Sequence, residues 1–496
     1  VEMFKNRLLR NSFFNLLAMT INIVSFIIIT PYIVNYLGVI GYGIYITLIA
    51  ITGFMSTVDL GLSGASTRQF SHFYSKGEFN KFNISYTTSL FIYLVLGILL
   101  NFIIFIFNKM NLIYYLFDDG DVNQYSLEYV LYLGGLIILL NMILIVSSNI
   151  SIALQKNSFN ALGKIFITIT EVSVIAFVIY HDYSIVGLMY AKISSLLIGI
   201  LSYYLINKKI TNYLKLLFLF DSNIFRDLIS FGVYNLITQI SNALIGQADK
   251  IIINLMLGPQ FVTYYSIPMS IAQRIHSLVA TAANVIFPAT AELNSTSSKS
   301  EIRSLYLKTQ NIVFLFSAVL IFPFIFFSKE ILELWIDVEF AENAYFIFLL
   351  ILISYLFIGS NVTVYFMFNG LNMPKYNAYY AIITAAIKII STIVLIYFFD
   401  LIGAGISLLL TIILIPFYIR YFEKMINVKT HHYLLNGYIP VIFVFIITFS
   451  MSLLIKSNLN IWGIGLMSFL LVFLGIVALY KLDFFKKNNI NIFPSA

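Results

Sequence analysis

Cysteine is absent from the 496 residues, which excludes disulfides, thiolate metal sites and cysteine nucleophiles. Charge is scarce as well. Asp, Glu, Lys and Arg together make up 10% of the chain, against roughly 25% in soluble globular proteins, so a soluble fold is excluded. Five histidines leave little material for a metal centre, and no metal or organic cofactor is expected. A nucleotide-binding phosphate loop is missing too, because Gly163-Lys164 is followed by Ile165 where Ser or Thr would be needed. What is abundant is apolar: 60% of residues are hydrophobic, including 47 Phe and 34 Tyr. Such a chain is expected to be an all-α polytopic membrane protein.

A bilayer core of about 30 Å takes about 20 apolar residues as a helix. Fourteen such spans are expected, at 13–34, 42–62, 84–107, 126–150, 160–180, 184–206, 229–257, 262–288, 306–328, 343–369, 376–399, 401–421, 438–456 and 460–481. The first is too long for a cleaved signal peptide and no small-residue cleavage site follows it, so it is expected to stay in the mature protein. The Lys/Arg bias of short loops sets the orientation. With the N-terminus inside, 22 of the 29 cations fall on the termini and even-numbered loops. The odd loops instead collect Asp118, Asp119, Asp121, Glu128, Glu330, Glu333, Asp337, Glu339 and Glu342. An even number of spans with both termini cytoplasmic satisfies this alternation throughout. The formal charge of +7 is thereby a topology signal and a contact with anionic lipid, and no nucleic-acid partner is expected.

The chain repeats itself. A shift of 220 places Asn15, Asn22, Leu37-Gly38 and Tyr45 on Asn235, Asn242, Leu257-Gly258 and Tyr265. A shift of 217 places Asn160-Ala161 on Asn377-Ala378. Three parts are expected: a six-helix lobe over 1–210, a second over 211–425, and two appended helices with a cytoplasmic tail over 426–496. Parallel repeats of this kind commonly hold a substrate between the two halves and rock to alternate access.

Ionised groups in mid-bilayer cost at least about 2.5–3.5 kcal/mol on insertion scales and are functional candidates. At about 1.5 Å per residue, Arg274 and His276 lie near the middle of the eighth span, Glu171 of the fifth and Lys388 of the eleventh. Lys192 lies in the outer half of the sixth, with Asp249 and Lys250 toward the outer end of the seventh. The cations Arg274, Lys388, Lys192 and Lys250 offer themselves to an anion such as a diphosphate. Glu171 and Asp249 are candidates for carrying a coupling H+ or Na+, or for a structural ion pair. Asn235, Gln239, Asn242, Gly246 and Asp249 fall three or four apart, on one side of a helix. With Asn15 and Asn22 of the equivalent first span and Gln273 of the eighth, these amides suit a polar cleft and sugar hydroxyls. Inter-helix hydrogen bonding is the competing role for each amide.

Residues Asn35-Tyr-Leu-Gly-Val-Ile-Gly-Tyr-Gly-Ile-Tyr45, Asp59-Leu-Gly-Leu62 and Arg68 resemble the first repeat of the polysaccharide flippases. These are the Wzx-type O-antigen and capsule translocases of the multidrug/oligosaccharidyl-lipid/polysaccharide exporter superfamily. Asp249-Lys250, Leu257-Gly258, Tyr264-Tyr265, Asn369-Gly-Leu-Asn-Met-Pro-Lys-Tyr376 and Gly403-Ala-Gly405 carry the same resemblance, which spans residues 1–421. It implies twelve core helices in two lobes around a cationic cavity lined by helices 1, 2, 7 and 8. The implied cargo is an oligosaccharide repeat unit on undecaprenyl diphosphate, flipped across a bacterial inner membrane. The implied partners are the polymerase and chain-length regulator of the same pathway. Drug exporters of the superfamily often carry an acid in helix 1, and this chain has asparagines there instead. Lipid II flippases share the two extra C-terminal helices, but no arginine lies within helix 1 or 2 here. The alternatives are an ion-coupled exporter of small amphiphiles and, further off, a membrane glycosyltransferase or polymerase, which would need a larger outer loop.

Overall fold

The computed structural model describes residues 2–57, 62–118, 120, 126–211, 213–215, 220–222, 224–226, 228, 239–295, 299–428, 434–450 and 461–481. All regular structure among them is helical. Among the described residues, nine segments are long and apolar enough to cross a membrane: 13–56, 79–109, 127–153, 157–180, 184–210, 299–326, 338–370, 374–425 and 463–481. The chain is therefore a multi-pass helical membrane protein. Lipid leaves it little choice, because each backbone N–H and C=O must find its partner within the segment.

Two compact units form, 1–263 and 264–496. The first begins with α1 (Glu2–Thr57), which is helical throughout except at Gly38, where φ 71° and ψ 172° turn the chain. The expected gap between 34 and 42 thus shrinks to one residue, since a single glycine in a left-handed conformation breaks a helix sharply. There follow α2 (Leu62–Ser75), α3 (Phe79–Lys109), α4 (Leu127–Ala153), α5 (Asn157–Tyr180) and α6 (Ser184–Ile210). The last four agree with the expected spans to within a few residues. Helix α7 covers 239–257, with one π-helical turn over Leu244–Ala248. It ends at Gly258, whose φ of 99° and ψ of 170° echo Gly38.

Buried amides and hydroxyls hold these helices together. Asn207 Nδ2 donates to the Ser147 carbonyl at 2.8 Å, and Ser151 donates to Asn207 Oδ1. Asn101 Nδ2 reaches the Gly135 carbonyl at 2.9 Å, and a Cβ on Gly135 would collide with the Asn101 amide. Tyr203 Oη donates to Asn160 Oδ1 at 2.7 Å, its ring lying where a Gly163 side chain would otherwise be. Where lipid removes the hydrophobic drive between helices, such bonds and close approaches supply much of the packing. Asn11, at the start of α1, donates to the Gln155 carbonyl and accepts from Ser158 N, fixing α1 to the α4–α5 turn.

The second unit takes most of α8 (Pro259–Ala283), then α9 (Ile286–Ser295), α10 (Lys299–Phe326), α11 (Ser328–Trp335), α12 (Val338–Ile358), α13 (Asn361–Gly370), α14 (Pro374–Thr411), α15 (Leu414–Met425), α16 (Ile439–Ser450) and α17 (Ile461–Lys481). Asp337 caps α12 by accepting from Phe340 N at 2.7 Å, and Pro374 opens α14 at a position where its missing N–H costs nothing. The expected span 343–369 is interrupted at Gly359–Ser360. The Ser360 carbonyl freed there accepts from Gln310 Nε2 at 2.9 Å. Helix α14 breaks at Phe399–Asp400, between two expected spans. Tyr418 donates to Asn377 Oδ1, as Tyr203 does to Asn160. Helix α16 docks on α10 through aromatic pairs, Phe322 with Phe445 and Phe326 with Phe449. Just before α16, Tyr438 stacks on Phe314 at 3.8 Å.

Candidate functional site: a polar cavity on α1, α4 and α7

A cavity of about 610 Å³ lies within the first unit, inside the roughly 300–1,000 Å³ range of ligand sites. Gly53 and Ser56 of α1, Ser63 of α2, Asn141 and Ile145 of α4, and Gln239, Asn242, Ala243, Gly246 and Gln247 of α7 line it. The spacing explains the α7 contribution, because residues three, four and seven apart share one face of a helix. The π-helical turn at Leu244–Ala248 adds one residue to a turn and brings Gly246 and Gln247 onto the cavity wall. Such turns recur at functional sites.

The wall presents both donors and acceptors. Asn141 Nδ2 lies 3.5 Å from Ser56 Oγ, which donates to the Thr52 carbonyl at 2.7 Å. Ser63 donates to Asn149 Oδ1 at 3.0 Å. Gln247 Oε1 accepts from Lys250 Nζ at 3.0 Å. Gln239 Oε1 has no hydrogen-bond partner among the described residues. Amides offer a carbonyl acceptor and two N–H donors, and hydroxyls do both. This set matches a ligand dense in hydroxyl and amide groups, such as a sugar.

Beyond the cavity, toward Gly38 and Gly258, α1 meets the start of α8, and α7 meets the segment after α3. Thr263 Oγ1 donates to the Val39 carbonyl at 2.6 Å, and Asn254 Nδ2 to the Leu116 carbonyl at 2.6 Å. A Cβ on Gly43 would overlap the Pro259 carbonyl, so the backbones touch there. Counted along the helices at about 1.5 Å per residue, Ser56 lies about 27 Å from Gly38 and Asn242 about 24 Å from Gly258. The cavity is thus more than half a bilayer from the closed end.

Of the sequence-predicted residues, Gln239, Asn242 and Gly246 line the cavity. Asn235 lies outside the described residues, as does Asp59. Asn15 and Asn22 are exposed on α1, seven residues apart on one face. Lys192 Nζ sits 3.0 Å from both carboxylate oxygens of Glu171, a half-buried intramembrane pair. Lys250 meets the cavity wall at Gln247. Asp249 is buried and accepts from Lys250 N at 2.9 Å. In the second unit, Arg274 Nη1 donates to the Ser270 carbonyl at 3.1 Å. Gln273, on the same helix, is half-buried and its carbonyl accepts from Ser277 Oγ. His276 lies edge-on to Tyr355. Lys388 is 3% exposed on α14, one turn from Thr384 and Thr392. The four cations are therefore divided between the units, and none is among the described lining residues. Ser56, Ser63, Asn141 and Gln247 were not anticipated. Asn141 had a signal, a lone amide within Leu-Ile-Ile-Leu-Leu-Asn-Met-Ile-Leu, whereas the two serines are too common in membrane helices to be noticed.

A multi-pass helical fold with a cavity lined, among the described residues, mostly by amides, hydroxyls and small side chains defines a membrane protein with an internal ligand-sized space. Residues 8–294 match the family described as "Polysaccharide biosynthesis protein", and the chain belongs to that family. It is 23% identical over 404 residues to a putative O-antigen transporter of Shigella flexneri, covering 79% of this chain and 90% of that protein. Its fold is similar to that of the lipid II flippase MurJ in an inward closed conformation, with TM-score 0.72 and 16% identity over 97% of this chain and 99% of that one. It is also similar to an inward-facing multidrug resistance MATE family transporter of the MOP superfamily, with TM-score 0.66 and 14% identity over 83% and 99%.

Proposed function

We propose that the protein flips undecaprenyl-diphosphate-linked oligosaccharide repeat units from the cytoplasmic to the periplasmic leaflet by alternating access, for O-antigen or capsule/exopolysaccharide biosynthesis. It is a transporter of the bacterial inner membrane rather than an enzyme. The observation that carries this reading is the amide- and hydroxyl-lined cavity, in a chain of the polysaccharide biosynthesis protein family. The relative named as an O-antigen transporter favours a lipid-linked sugar over a small amphiphile as cargo.

Fourteen crossings with both termini cytoplasmic complete the reading, as two six-helix lobes over 1–210 and 211–425 followed by two helices over 426–496. Segments 13–56 and 374–425, of 44 and 52 residues, would extend about 66 and 78 Å as helix. Each therefore suffices for two crossings of a core of about 30 Å. Their breaks at Gly38 and Phe399–Asp400 supply the turns. In that orientation Gly38 and Gly258 face the periplasm and the cavity lies in the cytoplasmic half, where cargo enters. Gln239, Asn242 and the asparagines of α1 contact sugar, and Arg274 and Lys388 neutralise the diphosphate. The polymerase and chain-length regulator of the pathway take over the flipped unit.

The test is deletion in the native host with lipid-linked intermediates assayed leaflet by leaflet. Repeat units trapped on the cytoplasmic face, with loss of surface polymer, are expected. Units that reach the periplasm unpolymerised would instead identify a polymerase, and unchanged intermediates would move the cargo to small molecules.

A further inference from the structure

Glu423, near the end of α15, is 0% exposed. Its Oε1 accepts from the Tyr306 hydroxyl of α10 at 3.1 Å. Its Oε2 is buried with no hydrogen-bond partner among the described residues, and no ion pair there includes it. Other groups around it are accounted for. Arg420, one turn earlier on the same helix, acts on it from beyond ion-pairing distance. Helix α13 brings Phe368 against Phe422, and α14 brings Tyr376 and Tyr380 against Tyr421 and Tyr418. The Glu423 carbonyl is taken by Val428 N. The side chain thus has one neutral donor and one bare oxygen, out of reach of solvent. In sequence it looked unremarkable, because Arg420 and Lys424 flank it at a helix end.

An ionised carboxylate enclosed in this way is costly, and a neutral one far less so. Ionisable groups inside membrane proteins commonly mark proton relays. We propose that Glu423 is a proton-binding site that holds a proton on its enclosed carboxyl, with Tyr306 as its hydrogen-bond donor. The only bond made and broken is the O–H of the carboxyl, and the site does not rest on the flippase reading above.

The test is infrared difference spectroscopy of the full chain, purified into liposomes and titrated from about pH 5 to about pH 9. A protonated-carboxyl stretching band that is absent in Glu423→Gln is expected. Tyr306→Phe should change the frequency of that band, since it removes the hydroxyl bonded to the carboxyl. A band unaffected by Glu423→Gln would overturn the site, and Tyr306→Phe supplies a second check if Glu423→Gln does not fold.

Discussion

Gly38 and Gly258, 220 residues apart, turn the chain with the same backbone: φ 71° and ψ 172° at one, φ 99° and ψ 170° at the other. Each ends one long helix and starts the next. That region of φ/ψ space is open to glycine and nearly closed to other residues. Repetition of a conformation this restricted, at positions the sequence repeat pairs, means that both helix pairs are bent by the same device.

Alanine at either glycine should therefore destabilise the protein by about 1–3 kcal/mol. Thermal unfolding in detergent of Gly38→Ala and Gly258→Ala should show a lowered midpoint in both variants. A midpoint equal to wild type in either one would mean that the turn relaxes without strain.

Gly43 and Gly53 lie ten residues apart on α1 and should behave oppositely. A Cβ at Gly43 overlaps the Pro259 carbonyl, whereas at Gly53 it meets Gln247 Nε2 at an ordinary 3.7 Å. Overpacking of a tight contact costs about 1–3 kcal/mol. Gly43→Ala should lower both stability and surface polymer in a complementation assay, while Gly53→Ala should unfold at the wild-type temperature. Equal thermal behaviour of the two would show that the Gly43 contact yields easily.

The cavity amides can be tested by leucine. Gln239→Leu and Asn242→Leu remove hydrogen-bonding groups from the wall while approximately preserving bulk. A ligand hydrogen bond is worth about 0.5–1.5 kcal/mol, and 1.4 kcal/mol is tenfold in an equilibrium constant. Each variant should weaken binding of the lipid-linked oligosaccharide up to about tenfold with normal membrane insertion. Binding by both at wild-type affinity would remove these residues from the site.

The Glu171–Lys192 pair calls for a double-mutant cycle. Removing one partner leaves a lone charge among apolar helices, at a cost of about 2.5–3.5 kcal/mol on insertion scales. Glu171→Gln and Lys192→Met should each destabilise more than the two combined, and the exchanged pair Glu171→Lys with Lys192→Glu should recover most of the loss. Additive losses would contradict a direct interaction.

Much of this was readable from the chain itself. Helices α3 to α6 lie where hydropathy put them, because a lipid-facing helix must be apolar for its whole length and the flanking turns are marked by Lys156, Asp182 and the Lys208-Lys209 pair. Gln239 and Asn242 were legible as a polar stripe, since spacing alone decides which residues share a helix face. The equivalence of Asn160 and Asn377 was also legible. That each accepts a hydrogen bond from a tyrosine, Tyr203 or Tyr418, was not, because the tyrosines lie some 40 residues further along.

Composition and periodicity determined the class of protein, its helices and the side of α7 that is polar, since all three follow from local contact with lipid or with neighbours three and four residues away. Tertiary structure decided which residues from distant helices share a space. Asn141 joined Gln239 and Asn242 at the cavity, Lys192 went to Glu171, and Glu423 was enclosed beside Tyr306. Those outcomes depend on how helices rotate and approach one another. A small side chain such as that of Gly43 or Gly163 sets that approach, and nothing within a single helix records it.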